Sequence, residues 1–152
     1  MAAFAESLGP VIDVGTGAGF PGLPAAIAFP HWHVTLLDGT RKKIAFVREA
    51  IAALALTNAE GVWSRVETFR PPTPANLVLI RAVTQPATAL AYALPLLGAG
   101  GRVLLYRGRW SATEAADLQR AGDRLGARIV GVQEFVTPLS QGQRHVVCCE
   151  RL

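Results

Sequence analysis

Four glycines within eight residues place the tightest limit on how this chain can fold. The segment "VIDVGTGAGFPGLPAA" begins at Val11 with an apolar run, turns through the glycines and then carries Pro21 and Pro24. Glycine adopts positive φ without steric cost and lets a ligand approach the backbone closely. A sharp turn of this kind is typical of α/β chains that bind a ligand at the end of their first strand.

Apolar runs of strand length alternate with segments of helical period along the chain. Continuous Val, Ile and Leu runs with helices between them indicate a parallel sheet that is covered on both faces. Five such strands are predicted, at residues 10–14, 33–38, 59–64, 76–81 and 101–107.

The helices are predicted from their apolar spacing and their end signals. Thr40 is a candidate N-cap for a helix that runs to Ala55. A second helix is expected over residues 85–97, with "GAGG" as its C-terminal stop. Ser111 and Glu114 match a capping box at the start of a third, which Gly126 closes.

The C-terminal part of the chain lacks a helical segment between its last two apolar runs. "ARIVGVQEFV" and "RHVVCCERL" are joined only by the polar "TPLSQGQ", so they should pair antiparallel. The fold class expected is therefore α/β, with a mostly parallel seven-stranded sheet that ends in an antiparallel hairpin.

Length, charge and cysteines limit the class of protein. The 152 residues indicate one domain, and no apolar run approaches the ~20 residues of a membrane span. The net charge of +4 comes mostly from arginine, which suits phosphates but also occurs in proteins that never bind nucleic acid. Cys148 and Cys149 should point to opposite faces of a strand. This argues against a disulfide or metal there and predicts a reducing, cytoplasmic location.

The glycine segment formally contains a dinucleotide fingerprint. Gly17, Gly19 and Gly22 satisfy G-x-G-x-x-G, and Asp38 lies 21 residues after Gly17. In that motif a pyrophosphate binds free N–H groups at a helix N-terminus. An NAD-dependent oxidoreductase is therefore one interpretation of the sequence.

The prolines favour a ligand without phosphate. Pro21 and Pro24 each remove a backbone donor from the first helical turn, although a proline at the first position costs little. S-adenosylmethionine has no phosphate, and its ribose diol suits the carboxylate of Asp38. Asp13 either orders the loop by accepting from its N–H groups or reaches the methionine ammonium through water.

Several segments together resemble a known family. "DVGTGAGFPGLPAAIAFP", "HVTLLDGTRKKIAFVREA", "LIRAVTQPATALAYALPLL" and "GQRHVVCCERL" are similar to the bacterial ribosomal small-subunit guanine-N7 methyltransferases, the G family once called glucose-inhibited division protein B. The resemblance covers nearly the whole chain from Val11. It implies a Rossmann-like methyltransferase fold and methyl transfer from S-adenosylmethionine to N7 of a guanine in 16S ribosomal RNA.

The resemblance also implies the residues of the site. Phe20 would cover the methionine end of the cofactor, and Arg81 would face the methyl acceptor at the end of strand four. The cofactor-binding positions expected are Asp13, Gly15, Gly17, Phe20, Asp38, Gly39, Thr40, Arg65, Val66 and Arg81.

The acceptor chemistry limits what the catalytic residue does. Guanine N7 carries an exposed lone pair, so positioning rather than a general base is needed. Arg81 is therefore expected to hold O6, a phosphate or the cofactor carboxylate. The residues expected to bind RNA phosphates are Arg107, Arg109, Arg144 and His145.

The chain is expected to form one domain. We expect a single methyltransferase domain over residues 1–152, without the helical extension that family members carry before the first strand. We also expect a monomer. Besides the oxidoreductase, a non-catalytic module of the same fold that binds the cofactor or RNA remains open.

Overall fold

A computed structural model describes residues 9–81 and 84–152 of the chain. The elements follow one another as β1 (Val11–Val14), α1 (Gly22–Ala28), β2 (Val34–Asp38), α2 (Arg41–Ala53), β3 (Ala59–Trp63), β4 (Ala75–Arg81), α3 (Pro86–Ala93), a 3-10 helix (Leu94–Leu96), β5 (Leu97–Arg107), α4 (Ala112–Leu125), β6 (Ala127–Val136) and β7 (Gln143–Arg151).

All seven strands join in one sheet of order β3-β2-β1-β4-β5-β7-β6. The first five strands are parallel, and β7 lies antiparallel between β5 and β6. The predicted mixed sheet with a C-terminal hairpin is therefore confirmed. Strand β1 pairs with both β2 and β4, so the strand order reverses beside β1, where open α/β sheets bind their ligands.

The side chains of each strand alternate between two apolar cores. Ile12, Val103 and Cys149 lie in the core beneath α3 and α4, whereas Val11 and Cys148 lie in the core beneath α1 and α2. The adjacent cysteines are free and face opposite sides of the sheet, as predicted. The carboxyl ends of β1, β2 and β4 are thereby fixed relative to one another from both faces.

The expected boundaries around β5 are wrong. Helix α3 ends at Ala93 because Pro95 has no N–H and its ring clashes with the preceding turn. The "GAGG" segment is no helix stop but part of β5, which begins at Leu97 rather than at residue 101. Gly100 takes a φ of 70°, and the pairing with β4 shifts register at this irregularity.

The capping signals have mixed outcomes. Ser111 and Glu114 form both bonds of a capping box, and Gly126 closes α4 in the left-handed conformation. Thr40 occupies the N-cap of α2, but its side chain makes no capping hydrogen bond. Helix α2 also ends two residues earlier than expected, since Ala55 has a φ of 52°.

None of the helices in the described ranges is long and apolar enough to cross a membrane. Within residues 9–81 and 84–152, no three His, Cys, Asp or Glu side chains are grouped so that they could hold a metal ion.

Candidate cofactor cleft

The glycine loop between β1 and α1 is folded tightly onto the end of β2. Gly15, Gly17 and Gly19 all have positive φ, between 61° and 96°. The N–H of Gly15 donates to the carbonyl of Leu37 at 2.8 Å, which ties the loop to the neighbouring strand. A Cβ on Gly17 would meet only one atom, 4.0 Å away, so this glycine faces open space.

Asp13 is the buried anchor of the loop. Its Oδ2 accepts from the hydroxyl of Thr16 at 2.6 Å and from the N–H of Gly22 at 2.8 Å. Its Oδ1 is buried and makes no hydrogen bond in the structure. Burial raises the pKa of Asp13 to about 6, against the lowering effect of those two hydrogen bonds and of the Arg81 charge.

The N-terminus of α1 has no donor left for a phosphate. Pro21 and Pro24 carry no N–H. The N–H of Gly22 donates to Asp13, and the N–H of Leu23 donates to a carbonyl of the glycine loop at 2.7 Å. A pyrophosphate would meet the buried Asp13 carboxyl there instead of the free amides that a dinucleotide site provides.

Asp38 ends β2, and its carboxylate binds both the glycine loop after β1 and the turn that leads into α2. Its Oδ2 accepts from the N–H of Gly17 at 3.1 Å, and its Oδ1 accepts from the N–H of Thr40 at 2.8 Å. The ammonium of Lys43 lies 3.7 Å from Oδ2. Each carboxylate oxygen accepts more than one bond, so both oxygens keep capacity for a ligand hydroxyl.

The loops enclose a polar cleft of about 630 Å³ at the carboxyl ends of the strands. The structure brings together there most of the cofactor positions expected from the sequence: Gly15, Gly17, Asp38, Gly39, Thr40, Arg65, Val66 and Arg81. Asp13 and Phe20 are not among the described residues that line it. Asp13 is fully buried beneath the loop, and the side chain of Phe20 is half exposed.

Further residues line the cleft that the sequence analysis did not single out. They are Val14, Leu37, Lys43, Ser64, Glu67, Thr84 and Tyr92. Ser64 and Glu67 flank the expected pair Arg65 and Val66, so their place in the chain was a usable signal. Lys43 lies three residues after Thr40, on the same face of α2. Tyr92 comes from α3, and no local pattern indicates that it reaches the cleft.

Two of the residues expected to bind RNA are engaged inside the protein. The guanidinium of Arg107 donates to the carbonyl of Thr84 at 3.0 Å and to Glu114 at 2.9 Å. The hydrogen bond from Arg107 holds the pKa of the Glu114 carboxyl below its usual value. His145 is buried, with Nδ1 2.7 Å from the carbonyl of Gly108. The structure leaves Arg109 and Arg144 exposed.

A second cavity, of about 600 Å³, lies on the sheet face beside α1. Its lining is mostly apolar and includes Leu104, Tyr106, Val132, Val146 and Cys148. We call it the apolar groove. No side chain expected from the sequence to bind cofactor or RNA is among its described lining residues.

The comparison with protein families identifies the chain's relatives. The model of the family GidB, rRNA small subunit methyltransferase G, matches residues 1–147. The chain belongs to this family. The assignment agrees with the resemblance of the glycine segment and of the segments that follow it.

Curated members of the GidB family are similar over nearly the whole chain. A ribosomal RNA small subunit methyltransferase G of Gloeobacter violaceus is 47% identical, over 97% of this chain and 61% of its own length. One from Synechococcus sp. (strain JA-3-3Ab) is 46% identical, over 93% of this chain and 56% of its own length. The chain thus spans somewhat more than half the length of these relatives.

Solved structures share the fold at low sequence identity. A methyltransferase from Pyrococcus furiosus has a TM-score of 0.76 at 17% identity, over 99% of this chain and 78% of that one. M. jannaschii TYW2 in complex with AdoMet has a TM-score of 0.74 at 16% identity, over 93% of this chain and 67% of that one. These likenesses show that the GidB-family chain has the methyltransferase fold.

Proposed function

We propose that this chain transfers a methyl group from S-adenosylmethionine to N7 of a guanine in 16S ribosomal RNA. The observation that carries the proposal is the combination of a ribose-type carboxylate, Asp38, with a helix N-terminus that offers no amide to a phosphate. Family membership supports the acceptor, because the matched family is named for methylation of small-subunit rRNA.

The cleft fits S-adenosylmethionine in shape and in chemistry. Gly17 faces open space that a side chain would fill, so the backbone there can approach the methionine portion. Asp38 retains acceptor capacity for two ribose hydroxyls. Val66 and Tyr92 supply apolar surface for an adenine, and Arg65 lines the cleft beside Val66, where it can flank the same ring.

The methyl transfer needs positioning more than acid–base chemistry. When bound, S-adenosylmethionine supplies an electrophilic methyl carbon, whose bond to sulfur breaks as the N7 lone pair forms the new bond. The purine gains the positive charge that the sulfonium loses, so no proton moves. Arg81 lines the cleft and is exposed at the end of β4, where it can hold O6 of the base without covering N7.

The RNA phosphates require exposed cations near this opening. Arg109 and Arg144 remain the candidates from the expected set, since they are exposed. Arg107 and His145 would have to leave Glu114 and the Gly108 carbonyl before they could bind a phosphate. An rRNA acceptor also implies that the chain acts in the cytoplasm on the small ribosomal subunit or its RNA, and we infer that it does so as a monomer.

Calorimetric titration tests the cofactor. We expect S-adenosylmethionine and S-adenosylhomocysteine to bind and NAD not to bind. Asp38→Ala removes two ribose contacts and should weaken binding by about 100-fold, at ~1.5 kcal/mol for each hydrogen bond to a charged group. Asp117→Ala, which removes an exposed carboxylate of α4, serves as the matched control and should bind as the wild type.

Transfer of labelled methyl groups to 16S rRNA tests the reaction. We expect 7-methylguanosine in the digested RNA. Cofactor binding without transfer to RNA or to small subunits would favour the non-catalytic module, and binding of NAD would favour the oxidoreductase.

A further inference from the structure

We propose that Phe20 is a stacking platform for the guanine that accepts the methyl group. This inference rests on the proposed function and extends it to the recognition of the acceptor base. It differs from the expectation drawn from the family resemblance, in which Phe20 covers the methionine end of the cofactor.

The ring of Phe20 is exposed to solvent. Its side chain is 51% exposed, and it is not among the described residues that line the cleft. The ring therefore presents apolar surface to solvent outside the described lining of the cleft.

The backbone of Phe20 is held by contacts within the glycine loop. The N–H of Phe20 donates to the carbonyl of Thr16 at 3.0 Å. Its neighbour Gly19 packs so closely on Leu23 that a Cβ on Gly19 would lie 2.3 Å from that side chain. The backbone of Phe20 is therefore held in place, and stacking a base on its ring would order few additional groups.

A hydrogen bond joins Arg81 to the backbone of Phe20. The Nε of Arg81 donates to the carbonyl of Phe20 at 3.3 Å, and the same arginine lines the cofactor cleft. Arg81 is thus bound to the backbone of Phe20 and also lines the cleft. A base stacked on Phe20 would lie one residue contact away from the cleft, with the Arg81 guanidinium as its polar neighbour.

The chemistry of guanine suits this pair. An unpaired base stacks on an exposed aromatic ring, and such a contact is worth ~1–3 kcal/mol by alanine substitution. Arginine pairs with the O6 and N7 edge of guanine. With Nε engaged by Phe20, the terminal nitrogens of Arg81 can donate to O6, and N7 stays free for the methyl group.

The test compares two exposed phenylalanines. Phe20→Ala removes the platform, Phe20→Trp keeps it, and Phe46→Ala removes a ring of similar exposure, 53%, from α2. We expect Phe20→Ala to lower kcat/KM for 16S rRNA about thirtyfold, which corresponds to the middle of the stacking range. The Kd of Phe20→Ala for S-adenosylmethionine should stay within about twofold of wild type. Phe20→Trp should retain more methylation of RNA than Phe20→Ala, and Phe46→Ala should methylate as wild type does.

Two outcomes would overturn the inference. In one, Phe20→Ala methylates RNA as well as wild type. In the other, it weakens S-adenosylmethionine binding about tenfold and leaves the KM for RNA unchanged, which would assign the ring to the methionine end.

Binding of a short guanine-containing single-stranded RNA, measured with S-adenosylhomocysteine present, separates the inference from the proposed function. If the wild type transfers no methyl group, the proposed function fails. Stacking then stands if Phe20→Ala weakens this RNA several-fold while Phe46→Ala does not, and falls if the two variants bind alike.

Discussion

The polar cleft and the apolar groove have nearly the same volume but opposite chemistry. The cleft lies at the carboxyl ends of the strands, where loops supply carboxylates, arginines and glycine backbone. The groove lies on a sheet face and is lined by side chains of β4, β5, β6, β7 and α1. The volume of a cavity alone does not distinguish a candidate binding site from an apolar cavity without ligand. The number of polar groups that converge on the cavity does distinguish them.

The two regions also differ in energetic cost. The groove carries no buried charge among its described residues, whereas Asp13 is buried beneath the glycine loop of the cleft and its Oδ1 has no hydrogen-bond partner. A buried carboxyl with one unsatisfied oxygen is unfavourable, and groups with perturbed pKa values cluster at functional sites. Three substitutions test this difference.

Asp13→Asn should produce the largest change in stability. Folding raises the pKa of Asp13 from 3.8 to about 6. The free energy of unfolding of the wild type therefore falls as pH rises through that window. The amide oxygen of asparagine can accept from Thr16 and Gly22 without a charge. We expect the variant to be more stable than wild type by about 3 kcal/mol at pH 7.5, and the gain to vanish below pH 4.

Urea denaturation at pH 4, 5 and 7.5 measures this gain. Asp117→Asn changes an exposed carboxylate and should show no gain that grows through this window. A stability difference that did not vary with pH would show that ionisation of Asp13 is not the cause.

Gly22→Ala should cause the second-largest change in stability, because its methyl group would collide with side chains packed beneath the glycine loop. The added Cβ would lie 2.7 Å from Oδ2 of Asp13 and 2.9 Å from Leu36. We expect a loss of about 2 kcal/mol in the free energy of unfolding, together with weaker S-adenosylmethionine binding. Gly108→Ala, whose Cβ would meet nothing within 4 Å, should unfold as wild type does. Equal stability of the two variants in thermal melts would contradict the packing argument.

Val132→Glu should have the smallest effect on stability and none on the cleft. Val132 is 48% exposed and lines the groove from β6. A fluorescent apolar dye should bind the groove of the wild type and bind the variant more weakly, while the free energy of unfolding stays within ~0.5 kcal/mol. Val136→Glu changes an exposed residue of the same strand outside the described groove lining. If it quenched the dye equally, the groove would not be the binding site.

Much of the fold follows from local sequence. The strands were predictable because buried parallel strands are continuous apolar runs, and the loop because only glycine tolerates its conformation. Asp38 followed from its distance to the glycines. The error at "GAGG" arose because a glycine run signals a helix end as readily as an irregular strand. Pro95, two residues past the end of α3, was the better signal.

The parts that escaped prediction depend on contacts between distant segments. Arg107 ends β5 and was expected to bind an RNA phosphate, but the capping residue Glu114 lies near enough to pair with it. His145 was expected to bind an RNA phosphate, whereas its Nδ1 lies 2.7 Å from the carbonyl of Gly108. Tyr92 reaches the cleft only because α3 packs over β4 and β5. Periodicity and spacing contain none of these pairings.

The linear division of the chain has a further consequence. The described lining of the cleft comes from residues 14–92, whereas β6 and β7 begin after it, at Ala127 and Gln143. One part of the polypeptide therefore encodes the polar cleft, and a separate, later part encodes the antiparallel hairpin at the sheet edge. Recombination between relatives at α4 would exchange the hairpin as a unit. Such chimeras would inherit the cleft of one parent and the edge surface of the other.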